Sequence, residues 1–174
     1  MLDNKAFEQI LDKNDQVLKI YLPDKKRAWC GTILYAVFMA LILVPVTVCC
    51  FFASLISGIF MALFCLLFVV MPLIGVKLWC DKTIYAVTDK RILIRTGYIG
   101  VDYKSLDFKM LGAISVNVGL VDKMIRRNTG SISFGSMSSP LTAQNPASYS
   151  FRYVVAPYDV NREVKEIIDA AHTN

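Results

Sequence analysis

From Ala28 to Val76 the chain runs for 49 residues without an Asp, Glu, Lys, Arg, His, Asn or Gln. A membrane span needs about 20 apolar residues to cross about 30 Å of hydrocarbon. As one helix the run would be about 74 Å long at 1.5 Å per residue, more than twice that thickness. Two spans of about 20 residues leave roughly nine for a turn, so the run reads as a transmembrane helical hairpin over residues 28–79. Ser54, Ser57 and Gly58 place the turn within Phe51–Gly58, with spans near Trp29–Cys50 and Gly58–Trp79. Trp29 and Trp79 stand at the charged ends, as interfacial tryptophans do. Pro45 and Pro72 fall inside the spans, where neighbouring groups can satisfy the freed carbonyls. Ser54 and Gly58 have small-xxx-small spacing, but the pair is short and terminal. The hairpin is therefore expected to pack through Leu, Ile and Phe surfaces.

Orientation follows from the cations. Lys25, Lys26 and Arg27 precede the first span, Lys77 and Lys82 follow the second, and the turn has none. By the positive-inside rule both termini face the cytoplasm. The apolar run is too long for a signal-peptide core, and Asp3, Glu8, Asp12, Asp15 and Asp24 do not suit a signal-peptide leader. The net charge of +5 splits into +1 before the membrane run and +4 after it, too mild for a nucleic-acid footprint. The five cysteines (Cys30, Cys49, Cys50, Cys65, Cys80) lie in or beside the membrane run, which excludes a disulfide framework for the soluble part.

Residues 1–27 form a short cytoplasmic segment. Leu2, Ala6, Phe7, Ile10 and Leu11 have amphipathic helical spacing. Gln16–Leu22 alternates, with Leu18, Ile20 and Leu22 on one face, and Pro23-Asp24 ends it as a strand. So short a segment cannot hold a core, and it is expected to dock on the domain formed by residues 80–174. In that domain the strand candidates are Thr83–Thr88, Arg91–Thr96, Val101–Phe108, Ala113–Val118, Lys123–Arg127, Ser131–Phe134 and Tyr149–Val155. Asp89-Lys90 makes the first turn. Val160, Val164, Ile167, Ile168 and Ala171 then give a helical stripe, with Asp159 as the expected N-cap. Residues 135–148, rich in Ser, Pro, Ala and Asn, read as a long loop. The fold class is α+β: a two-helix transmembrane hairpin, then a seven-stranded antiparallel barrel or sandwich with a C-terminal helix.

Seven strands closed by one helix is the pleckstrin-homology-like layout. Trp79–Gly97 (WCDKTIYAVTDKRILIRTG) resembles the opening hairpin of bacterial PH-like (bPH) membrane proteins, in which a transmembrane pair precedes that hairpin. The likeness extends through Ile114–Val118, Thr129-Gly130-x-Ile132-x-Phe134 and the last helix, and Asn14–Leu18 is similar to the segment before the family's first span. The chain departs from the family in having a single Gly130 where Gly-x-Gly is common, and in the long loop. The resemblance implies an architecture more than an activity.

Eukaryotic PH domains bind phosphoinositide headgroups with basic residues around the first hairpin, so the resemblance makes Lys90, Arg91 and Arg95 candidates for contact with anionic headgroups. A solvated strand face is the alternative. Lys123, Arg126 and Arg127 form a second basic cluster, either a protein-contacting edge or a solvated surface. No set of Cys, His or carboxylates has metal-ligand spacing, and the one histidine, His172, stands near the C-terminus. No phosphate loop or nucleophile elbow occurs. No catalytic residue, cofactor or metal is expected. The reading is a non-enzymatic, membrane-anchored binding or scaffolding module in the bacterial cytoplasmic membrane. Its expected partners are the lipid bilayer, a membrane protein and further copies of itself, not nucleic acid. The alternative is an accessory subunit or a small oligomeric channel built from the hairpins.

Overall fold

The computed structural model describes residues 7, 10, 11, 15–124, 128–137 and 149–173. The chain divides into two compact units, residues 25–81 and residues 1–24 with 82–174.

The first unit consists of α1 (Lys25–Ala53) and α2 (Leu55–Lys82), separated by Ser54 alone. Both are long and apolar enough to cross a membrane. Lys25 Nζ lies 2.7 Å from Asp81 Oδ1, although 56 residues separate them. Only an antiparallel hairpin brings those two ends together. At 1.5 Å per residue, α1 is about 44 Å long, the thickness of a bilayer with its headgroup layers. The turn is tighter than the sequence suggests because Ser57 Oγ donates to the carbonyls of Cys50 and Ser54, at 3.0 and 2.9 Å. These are carbonyls that a helix end leaves open. Thr32 and Thr47 bond the carbonyls of Ala28 and Leu43 in the same way, so each hydroxyl has a partner within its own helix.

The hairpin packs through a mixture of small and large apolar residues. Away from the charged ends, Ala36 and Gly58 are buried, Leu43, Val69 and Leu73 are half-buried, and the other large apolar side chains are mostly exposed. A Cβ on Gly58 would lie 2.4 Å from the Phe51 ring. Small residues at Ala36 and Gly58 allow close backbone approach.

The second unit is a sandwich of two antiparallel sheets. The first has the order β1 (Val17–Tyr21), β2 (Ile84–Thr88), β3 (Arg91–Thr96), β4 (Asp102–Asp107); the second has the order β5 (Leu111–Asn117), β6 (Thr129–Ser136), β7 (Tyr149–Val155). Short α3 (Leu120–Met124) lies between β5 and β6, and α4 (Pro157–Thr173) ends the fold. The sheets form a sandwich rather than a closed barrel.

The seven strands are not the seven that the sequence suggests. Residues 123 and 124 belong to α3, which corrects the strand proposed over Lys123–Arg127. The first strand comes instead from before the hairpin, where β1 pairs with β2. Tyr21 faces Tyr85 across that ladder, so Asp24 and Lys82, the two junctions with the hairpin unit, lie at one end of the sandwich. We call this the exit end.

The core explains the strand sequences. Ile92, Ile94, Tyr85 and Val87 face inward, against Ile132, Phe134, Phe151 and the helix residues Val160, Val164 and Ile168. Phe151 stacks on Tyr85 with ring centroids at 4.6 Å and meets Phe134 edge-on at 4.9 Å. The opposite face of the first sheet is also covered, because Ala86 and Leu93 are buried beneath Phe7. A sheet buried on both faces reads as a continuous apolar run, as Ile84–Thr88 does. β4, an edge strand, carries Asp102, Lys104 and Asp107 instead. The helix start also differs from expectation. Pro157 opens α4 and the Ala156 carbonyl accepts from the amides of Asp159 and Val160, so Asp159 stands in the first turn rather than at the cap. There its charge still suits the positive helix end.

Candidate functional site

A groove runs between edge strand β1 and helix α4. A bulge in β1 between Val17 and Lys19 creates it. The bulge turns Val17 to the same face as Ile20, over Ala86 and Leu93. Leu18 is left half-exposed in the groove, separated from the face that alternation assigned to it. Opposite stand Ile167, Ala170 and Ala171 of α4, and the cavity measures about 570 Å³. A second hollow of about 280 Å³ shares Asp89, Lys90 and Ala171 with it and continues past Phe108.

The rim is charged. Lys19 Nζ is 2.7 Å from Glu163 Oε2, and the Tyr21 hydroxyl donates to the same oxygen at 2.8 Å. The hydrogen bond from Lys19, and then that from Tyr21, hold the Glu163 carboxyl below the usual carboxylate range. Burial, and then the neighbouring carboxylate, push the Tyr21 phenol up. A depressed carboxyl contributes stability above its unfolded value of about 4.3, which is lost as pH falls through the lower folded value. Glu163→Gln should therefore lower the melting temperature at pH 7 and change it progressively less as acid protonates the wild-type carboxyl. Parallel thermal melts across pH 2–7 check this.

The structure locks the turn that resembles the family's opening hairpin. Thr88 Oγ1 accepts from the amides of Lys90 and Arg91 at 3.2 and 3.0 Å, and donates to the Arg91 carbonyl at 3.0 Å. Asp89 exchanges backbone and side-chain hydrogen bonds with Gln16, which extends the β1–β2 ladder. Asp15, its side chain 1% exposed, binds Lys90 Nζ at 3.2 Å and also pairs with Arg91. Asp15 is the residue that sequence reasoning missed here. In the sequence it stands among five acids before the apolar run and inside the family-like Asn14–Leu18 segment, and the β1–β2 register is what delivers it to the turn.

The three headgroup candidates thus share the β2–β3 hairpin but not an environment. Lys90 and Arg91 are tied to Asp15, while the Arg95 guanidinium lies 5.9 Å from the centre of the Tyr103 ring. Leu93 between the two arginines is buried, while Arg91 and Arg95 are half-buried and Lys90 is exposed. Removing Asp15 leaves two cations without their shared carboxylate. Asp15→Ala should cost about 2 kcal/mol, as for a hydrogen-bonded charge, and chemical denaturation of the purified chain would read it. Of the second basic cluster, Lys123 is exposed on α3, while Arg126 and Arg127 lie outside the described residues. So do residues 138–148 of the long loop, β6 itself reaching Ser136.

A family model of the bacterial PH domain matches residues 31–170. The match starts inside α1 and ends inside α4. It therefore covers the hairpin and β2 through β7 but not β1, the strand that forms one wall of the groove. No curated protein and no solved structure matches the chain. With most of its length matched, and with two apolar helices leading into a seven-stranded sandwich capped by a helix, this chain belongs to the bacterial PH domain family.

Proposed function

We propose that the chain is a non-enzymatic binding module anchored in the bacterial cytoplasmic membrane, with both termini on the cytoplasmic side. Its β1–α4 groove receives an extended segment of a membrane-protein partner. The observation that carries this reading is the groove itself. An edge strand offers backbone groups for one more strand, and an apolar wall from α4 stands beside it with pockets at Leu18, Ile167 and Ala170. The rim mixes Lys19 and Lys90 with Asp89, Glu163 and Glu166, which suits a polar peptide backbone of either charge better than a phosphate cluster. Two membrane spans confine the module to the plane of its partner and raise its effective concentration there.

The test is crosslinking in native membranes from a photoreactive residue at position 18. A discrete protein adduct should form, and Ala170→Arg, a change at an exposed helix position, should abolish it while the chain keeps wild-type protease resistance. An adduct indifferent to Ala170→Arg would sink the groove assignment.

A further inference from the structure

The soluble unit exposes its large apolar side chains unevenly. Tyr98 and Ile99 project from the β3–β4 loop, Ile99 being 91% exposed. Leu120 and Met124 of α3 are 79% and 75% exposed, and Val155 and Tyr158 stand out where β7 passes into α4. Ladder register puts all six at the exit end. Ile84 pairs with Arg95, and Thr96 with Asp102, so the β3–β4 loop lies beside the start of β2. The amide of Asp24 bonds the Tyr153 carbonyl, which brings the end of β7 to the same place. Thr129 faces Val155, and Asn117 faces Ser131, so the connection holding α3 follows. At the opposite end, among the described residues, Leu18, in the groove, Met110 and Met137 are comparably exposed.

Soluble surfaces scatter such residues singly, whereas a gathered set marks an interface. The position of Lys82 says what covers this one. It is the last residue of α2 and stands about 9 Å beyond Val76 at the helical rise, at the outer margin of the headgroup layer. Its Nζ bonds the Ile99 carbonyl, so the most exposed loop is held one side-chain length from the chain's exit from the membrane. Tyrosine with flanking lysine is the composition of a bilayer interface, and Lys82 and Lys123 supply the cations.

We propose that the exit end of the sandwich is a bilayer-docking face, with Tyr98, Ile99, Leu120, Met124, Val155 and Tyr158 seated in the lipid interfacial layer. The β2–β3 turn with Lys90 and Arg91 then points away from lipid, at the far end of strands about 17 Å long at 3.3 Å per residue. This inference rests on α1 and α2 spanning the membrane but not on the groove.

Full-length chain in nanodiscs of phosphatidylethanolamine and phosphatidylglycerol tests it. Benzoylphenylalanine replaces, one at a time, Ile99, Met124, Lys90 and, within α2, the outward-facing Leu66. After irradiation, mass spectrometry should find lipid adducts from positions 66, 99 and 124 and none from 90. Adducts from 66 without both 99 and 124 would overturn the docking face while leaving the spans intact. So would protein adducts at 99 or 124, or lipid adducts from 90 matching them. No lipid adduct at 66 would remove the spanning reading, and the docking face with it.

Discussion

Val164→Asp is expected to unfold the sandwich. Val164 is fully buried in the core beneath α4, where no described cation faces it across the apolar cluster. Forcing a carboxyl into that space costs its solvation, or the free energy to keep it protonated, in addition to the lost packing of Val. The sum is at least about 4 kcal/mol, a large share of the 5–15 kcal/mol that holds a domain together. Val164→Ala should cost about 2 kcal/mol from the cavity alone. Lys165→Asp, one residue on and exposed, should stay within about 0.5 kcal/mol. Limited proteolysis of the purified full-length variants separates the three. Wild-type resistance in Val164→Asp would mean that α4 is not a core element.

The second large effect concerns what counts as the domain. Residues 82–174 alone should fail to fold, although they hold six strands and both sheets. Without β1, the apolar strand Ile84–Thr88 becomes a bare edge, an aggregation template. Ala86 and Leu93 lose the cover of Phe7, Val17 and Ile20. Lys90 and Arg91 lose Asp15, and Glu163 loses both Lys19 and Tyr21. Joining residues 1–24 to 82–174 through a flexible Gly/Ser linker in place of the hairpin should restore the fold, because Asp24 and Lys82 lie at the same end and loop closure grows only slowly with linker length. Amide-dispersed NMR spectra from the linked protein, and collapsed spectra from 82–174, are the expected pair. A dispersed spectrum from residues 82–174 alone would show that β1 is an accessory rather than a part of the fold.

The contrast between these units shows what could be read from sequence. The hairpin was legible because apolarity runs unbroken along the whole segment. A 49-residue run without a charged or amide side chain predicts two apolar helices of spanning length, and the structure has two such helices. The stripe Val160–Ala171 was legible for a similar reason, since one helix buries one face and its period survives any arrangement of neighbours. Thr88–Arg91 announced a turn because Thr and Asp side chains satisfy local backbone groups themselves.

Other features depended on partners distant in the chain. The pairing of β1 with β2 joins residues more than sixty positions apart across the membrane run, and no local pattern encodes that register. From it follow the bulge that exposes Leu18, the delivery of Asp15 to Lys90 and Arg91, and the covering of Leu93 between the two arginines. Residues 123 and 124 looked extended because a helix as short as α3 shows no period. It is held by Asp122, whose carboxylate accepts from the Thr129 hydroxyl at 2.6 Å and the Gly119 amide at 3.0 Å. The sequence by itself thus determined the apolar helical hairpin, the family and the closing helix, each set by a repeating local demand of solvent or neighbour. Only the tertiary structure decided which seven strands make the sandwich, which cations are already engaged and where the groove lies, because long-range backbone pairing chooses among side-chain faces that local alternation leaves equivalent.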